Sequence, residues 1–291
     1  MTEFRLPRRP LGETGLRVTP LGLAELFIPT SKPGGPKLNA DDVERAFHDH
    51  GVNTFLVSSR MKVLCEGVRR LIRAGHRDEL VLVSGVGLPL AGSIRRGLEK
   101  HLRLLSTDHL DIWLIGWVRS RWHARDSIWS SMRRLREEGK TTAIGFSSHD
   151  RRLAAELARE LPSDVLMIRY NASHRGAEHE VFDALADIGD RRPGIIAYTA
   201  TRWGMLLTPL PKRGFPEAMS GAECYRFVLG HTMVDMVWCA ARTLAELRED
   251  VAGVLAGPLA PGRREETCRF GDAVHEAARR GRRWMFGSNS R

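Results

Sequence analysis

The sequence predicts an α/β protein folded as a (β/α)8 TIM barrel. Short apolar runs rich in β-branched residues alternate with longer segments of helical period, and eight such pairs follow one another. The chain has 291 residues, a comfortable length for one such barrel. An open doubly wound sheet, the competing architecture, ordinarily carries a GxGxxG turn after its first strand, and none stands there.

The elements follow in order. The first strand is Pro20 to Ala24, and a helix follows it with Asn39 as N-cap and Gly51 at its C-terminal end. "NTFLVS" and "CEGVRRLIRAG" form the second pair; "LVLVSGVG" and "SIRRGLEKHLRLL" form the third, with Ile94, Leu98, His101, Leu102 and Leu105 on one helix face. "LDIWLIG" precedes a helix capped by Asp126, and "TTAIGFSS" precedes "RRLAAELAREL". "DVLMIRYN" leads to "HEVFDALADIG"; "GIIAYTA" leads through an irregular stretch to "GAECYRFVLGH"; "VDMVWCAA" leads to "LAELREDVAGVLAG". Unbroken strand–helix alternation implies parallel strands and right-handed crossovers. No linker interrupts it, so residues 1–291 read as one domain, with the barrel over about 18–257 and a tail over 258–291 that holds one amphipathic helix, "CRFGDAVHEAARRG".

Composition narrows the function classes. Hydrophobic residues make up 42% and charged residues 27%, which suits a soluble globular chain. No apolar run approaches the ~18 residues of a spanning helix, and "MTEFRLPRRPLGETG" lacks an apolar signal core, so a cytoplasmic protein is expected. Cys65, Cys224, Cys239 and Cys268 are scattered and form no CxxC, which predicts reduced thiols and no metal site. The net charge of +10 comes from 45 Lys and Arg, of which only six are Lys. The arginines are spread along polar helix faces among Asp and Glu, and only "RRGRRW", Arg279 to Trp284, is a concentrated basic run. Nucleic acid is therefore not the expected partner; a small or nucleotide ligand carrying negative charge is.

Six segments, in order and at barrel spacing, resemble the aldo-keto reductase family: "LGETGLRVTPLGL", "GVNTF", "LRLLSTDHLDIWLI", "EGKTTAIGFSS", "AYTATRWGML" and "AARTLAELRED". The first resembles the family's N-terminal hairpin and first strand. The resemblance implies NADP(H)-dependent carbonyl reduction by four side chains. A Tyr donates the proton, a Lys paired with an Asp lowers its pKa, and a His orients the carbonyl. A phenol with a reference pKa near 10 needs such a neighbouring cation to act near neutrality. At the matching positions stand Leu56 for the Asp, Met61 for the Tyr, Gly85 for the Lys and Gly116 for the His. No residue of like chemistry replaces them, so ordinary carbonyl reduction is not expected.

For the cofactor, the resemblance assigns Tyr198 to stacking on the nicotinamide and Ser147 to its carboxamide. The family's neighbouring Asn and Gln are Ser148 and Met167 here. Gly204 matches the loop glycine at the pyrophosphate, Arg242 the basic residue at the 2′-phosphate, and Glu249 a Glu near the adenine, whereas the family's Gln and Asn are Glu246 and Asp250. Around the strand ends, Ser58, Arg60, Trp117, Arg169, Asn171 and Arg202 are candidates for a pocket that takes an anionic ligand. His149 is the candidate acid or base, with helix capping as its alternative role, and an ion pair with Glu178 is the alternative for Arg169. Three functions fit these residues. One is an NADP(H)-binding relative with altered or vestigial redox chemistry. Another is a non-catalytic barrel for an anionic metabolite or protein partner. The third is a cofactor-independent reaction at His149.

Overall fold

The computed structural model describes residues 4–25, 37–87 and 89–286. Eight parallel strands close into a barrel: β3 (Leu21–Leu23), β4 (Thr54–Leu56), β5 (Val81–Val86), β6 (Leu110–Val118), β7 (Thr141–Ser148), β8 (Val165–Arg169), β9 (Gly194–Tyr198) and β10 (Met236–Cys239), with β10 pairing back onto β3. Ahead of them, β1 (Arg9–Pro10) and β2 (Arg17–Val18) pair antiparallel as a hairpin. The predicted barrel with its N-terminal hairpin and helical tail is the observed fold.

The period-two pattern of the strands sorts their side chains into two cores. Inward residues Val81, Val83, Ile112, Leu114, Ala143, Val165, Ile196, Met236 and Trp238 fill the barrel, and Leu11 and Val18 of the hairpin plug its lower end. That plug sits tightly. A Cβ on Gly12 would lie 2.6 Å from the Gly194 nitrogen, so the hairpin approaches β9 only because this residue has no side chain. Outward residues such as Phe55, Leu82, Trp113, Phe146 and Val237 pack against the helices.

Those helices are α1 (Ala40–His48), α2 (Lys62–Arg73), α3 (Ala91–Leu105), α4 (Asp126–Glu137), α5 (Arg151–Glu160), α6 (Asp183–Ala186), α7 (Gly221–Leu229), α8 (Leu244–Leu255) and α9 (Pro261–Phe286). Asn39 caps α1 as expected, and Asp42 returns the bond to its N–H in a capping box. Asp126 does not cap α4. It is the first helical residue, and its carboxylate accepts instead from Ser130 (3.1 Å) and Arg133 (3.0 Å). The helix after β8 opens with a π-turn over Glu178–Phe182 before α6. The tail helix is longer than its amphipathic stretch predicts, because Pro261 starts it where a missing N–H has no consequence. A Cβ on Gly271 of α9 would fall 2.2 Å from the Ala172 carbonyl, so bare backbone lets this helix lie against the loop after β8.

The lower face accounts for three of the arginines. Every second strand begins with an Asn or Asp whose side chain accepts an N–H from the preceding strand region: Asn53 from Thr19 (2.9 Å), Asp111 from Leu82 (2.7 Å), Asp164 from Ile144 (2.9 Å) and Asp235 from Ile195 (2.7 Å). Each of the three carboxylates also holds an arginine: Arg77, Arg136 and Arg192. These cations serve the structural end of the barrel, opposite the end where barrel chemistry resides.

Candidate functional site at the barrel mouth

At the C-terminal strand ends, inward parity brings Ala24, Leu56, Gly85, Gly116, Ser147, Met167, Arg169, Tyr198 and Trp238 around one opening. Leu56, Met167 and Tyr198 border the inner core, so the floor is apolar. Met61 is 2% exposed and packs into the core beside α2. The backbone at Gly85 leaves no room for a side chain, since a Cβ there would lie 2.5 Å from the Leu114 carbonyl oxygen. At Gly116 the nearest atom would be 3.4 Å away, an ordinary contact. Just beyond it the β6–β7 register shifts, and Trp117 adopts φ 54°. This bulge re-aims Trp117 so that its ring is 51% exposed and lies over Gly87.

The other side of the mouth is polar. Ser147 accepts the Trp117 N–H at 3.0 Å. Ser148 is buried and donates to the Val118 carbonyl at 2.8 Å, so its hydroxyl closes the loop and does not face the opening. The Tyr198 hydroxyl lies 3.1 Å from the Ser148 carbonyl and 3.0 Å from His149 Nδ1, with the two rings edge to face at 5.6 Å. Burial raises the Tyr198 pKa, and Arg169 opposes that rise. His149 is pushed below the ordinary imidazole range by burial first, then by Arg169 and Arg119. It does not cap α5; Asp150 does, accepting from Leu153 N–H at 3.1 Å. The Glu178 carboxylate meets the Tyr170 hydroxyl at 2.5 Å and Arg264 at 3.5 Å.

Two of the pocket candidates lie behind the mouth. Asn171 is fully buried; it donates to the Thr199 carbonyl at 2.8 Å and accepts from Ser173 N–H at 3.0 Å, stapling the loops after β8 and β9. Arg202 is also buried, with its guanidinium on the Ser173 hydroxyl. Ser58 accepts from Arg60 N–H at 3.2 Å in a local turn past β4, and Arg60 is exposed at the rim. Trp238 and Glu25 also belong to this region and escaped the sequence reading. Strict alternation through "VDMVWCAA" points Trp238 inward, where its Nε1 reaches the Met167 sulfur at 3.2 Å. Glu25 accepts from Leu64 N–H at 2.8 Å in the first turn of α2, a long-range cap that no local pattern signals.

A nicotinamide dinucleotide would meet unequal halves of this site. On the phosphate side, Gly204 sits at φ 82° with nothing within 4 Å of a Cβ position, which leaves open backbone for an anion. Arg242 is partly exposed just before α8, and Glu249 is exposed on that helix. The Arg242 N–H, however, already donates to Glu246 at 2.7 Å, and Thr243 caps the helix. Asp250 is turned inward, buried against the Cys239 thiol at 3.6 Å, so it faces no base. The carboxamide side does not fit: the Ser147 oxygen takes Trp117, the Ser148 hydroxyl is turned away, and Met167 offers only a thioether.

Elsewhere, a cavity of about 130 Å³ lies between the loop at 214–219 and α9, lined by Phe215, Met219, Thr267 and Phe270, with Arg263 tied to Glu223 and Glu266. Its lining holds no His, Cys, Lys or Tyr, so the mouth remains the candidate site. Among the described residues, no His, Cys, Asp or Glu group is placed to hold a metal ion, and no helix is long and apolar enough to cross a membrane.

The closed barrel, the hairpin plug and the strand-end site define a (β/α)8 barrel protein. The chain belongs to the aldo/keto reductase family, whose sequence model matches residues 38–212. An uncharacterized oxidoreductase, YrpG of Bacillus subtilis, is 25% identical over 229 residues, 67% of each chain. A putative aldo-keto reductase from Pseudomonas aeruginosa, PA4992, superposes with a TM-score of 0.68 at 22% identity, covering 88% of this chain and 98% of that one. The aldo-keto reductase AKR11C1 of Bacillus halodurans, in its holo form, gives 0.69 at 17% identity, covering 93% and 96%. At these identities the two structures speak for the fold alone.

Proposed function

We propose that this protein is an aldo-keto-reductase-like barrel that keeps an NADP(H) site through its phosphate end and has altered or vestigial carbonyl-reducing chemistry. The observation that carries the reading is the continuous stretch from inward Tyr198 at the end of β9 to the open left-handed turn at Gly204. Gly204 and Arg242 would hold the phosphates, Glu249 would lie toward the adenine, and Tyr198 and Ser147 would border the nicotinamide. NADPH, when bound, supplies a hydride. The chain's own residues offer no proton donor on the side where the family places one, because Leu56, Met61, Gly85 and Gly116 carry no acid. Loss of general acid catalysis removes about 10²–10⁴-fold in rate, so turnover of simple aldehydes should be slow or absent. NADPH fluorescence titration tests the binding claim. Saturation is expected, and a linear response up to about 1 mM, equivalent to less than roughly 4 kcal/mol of affinity, would sink it.

A second reading, a non-catalytic barrel that binds an anionic metabolite, is favoured by the cationic field of Arg169 and Arg119 on one side of the mouth. Robust NADPH-dependent turnover of common aldehydes would exclude it. The protein is read as cytoplasmic under either function.

A further inference from the structure

The polar groups of the mouth have gathered on one arc of strands. β4, β5 and β6 present Leu56, Gly85 and Gly116, whereas β7, β8 and β9 present Ser147, Arg169 and Tyr198. Arg169 stands in register with Tyr198, and the alternation that turns Val165 and Met167 inward turns Arg169 the same way. Tyr198 reaches across β8 to His149, just past the end of β7.

The hydrogen bonds set the imidazole's chemistry. A carbonyl can only accept, so the Tyr198 hydroxyl donates to Ser148 and its oxygen accepts from His149 Nδ1–H. That tautomer leaves Nε2 as the basic nitrogen of a ring that is exposed at the rim. The charges acting on the ring are those of Arg169 on β8 and Arg119 past β6. Asp150, its chain neighbour, is engaged as the cap of α5. An anion seated among these groups cancels part of the positive field, which makes Nε2 easier to protonate. Anion binding and proton uptake are then thermodynamically linked. A carboxylate matches the groups present: a guanidinium for its charge, a phenol wall beside it, and an imidazolium N–H as second donor.

We propose that the β7–β9 side of the mouth binds a small carboxylate, with Arg169 as counter-charge and Tyr198 as wall, and that His149 Nε2 takes up a proton from solvent as the anion arrives. This rests on the reading of the mouth as an anion site; Tyr198 would also border a bound nicotinamide, so the test is made without nucleotide. The polar arc lies away from the strand ends where the family's proton donor acts, so the occupant is held by residues outside that machinery.

Calorimetry of the full chain with malonate, at about pH 7 in two buffers of different ionisation heat, tests it, with uncharged malonamide and orthophosphate as comparison probes. Malonate should saturate with a buffer-dependent heat that reports proton uptake, and malonamide should not bind. His149→Gln should still bind malonate, with a heat that no longer depends on buffer. Arg169→Met should weaken binding at least about tenfold. If Arg169→Met fails to fold by circular dichroism, the comparison at the exposed His149 decides alone. Absence of malonate saturation at about 10 mM, or equal proton uptake in His149→Gln, overturns the proposal. Orthophosphate binding without malonate binding overturns the carboxylate assignment and leaves the anion reading standing.

Discussion

Tyr198 and His149 form a phenol–imidazole pair, 3.0 Å from hydroxyl to Nδ1, that spans the end of β8 from β9 to the residue past β7. The hydroxyl also holds the Ser148 carbonyl, so one side chain links two non-adjacent strand ends. Tyr198→Phe should therefore cost about 0.5–1.5 kcal/mol in urea unfolding, the ordinary value of a hydrogen bond. It should also move the His149 titration followed by NMR. An unmoved titration would show that the pair is not formed in solution.

Gly85 and Gly116 both face the mouth from neighbouring strand ends, and the two backbones differ. Gly85→Ala forces a Cβ to 2.5 Å from the Leu114 carbonyl, so it should destabilise by about 1–3 kcal/mol, as overpacking does. Gly116→Ala meets its nearest atom at 3.4 Å and should be close to neutral. Chemical denaturation of the two variants compares them directly. Equal costs would mean that β5 yields more readily than its geometry implies. If the difference holds, any side chain at position 85 requires the backbone of β5 or β6 to shift.

Asp235 accepts two bonds from Arg192, both 2.8 Å, and a third from Ile195 N–H at 2.7 Å. The carboxylate is largely buried, so its removal takes two bonds from the Arg192 guanidinium and the acceptor from a strand N–H. Asp235→Ala should cost about 3–5 kcal/mol while leaving NADPH titration of the folded fraction unchanged, because the pair sits at the end of the barrel away from the mouth. A loss below 1 kcal/mol, roughly the value of an exposed pair, would contradict this.

Acid and alkali should destabilise through different groups. His101, His149, His174 and His231 are all held below the ordinary imidazole value, with burial the largest cause, and His174 is lowered to about 3. The unfolded chain takes up these protons more readily than the folded one. The stability they confer is thus complete above about 6.5 and is lost as pH falls through their folded values. Asp250 behaves oppositely. Burial raises it to about 7, so the folded state is the better proton binder, and stability falls as pH rises from the usual carboxylate range through about 7. Melting of Asp250→Asn against wild type should show a larger relative gain at about pH 8 than at about pH 5. An equal difference at both pH values would mean that Asp250 is already ionised across that range.

Much of this architecture was legible locally. The strands of "LDIWLI" and "TTAIGFSS" and the cap at Asn39 follow from alternation, period and side-chain acceptors within a few residues. The alternation also orders the inward set, from Val83 and Ile112 to Tyr198. The site was less legible. Asn171 and Arg202 stand near strand ends in sequence, yet the loops after β8 and β9 fold over each other and bury both. Asp126 resembles a cap, but the helix begins one residue earlier than a capping role allows. Glu25 accepts from a helix N–H 39 positions away, a relation that the pairing of β3 with β4 creates.

The sequence by itself determined the barrel, its strand order and the identity of every residue at the strand ends, including Leu56, Met61, Gly85 and Gly116. These depend on pattern and covalent order, which are local quantities. Tertiary structure decided which of those residues face one another. It placed Tyr198 on His149, aimed Arg169 beside them, turned Asp250 inward and withdrew Asn171 and Arg202. Those outcomes depend on burial and on hydrogen bonds between elements far apart in the chain, and on glycines such as Gly12 and Gly85 whose missing side chains let backbone approach.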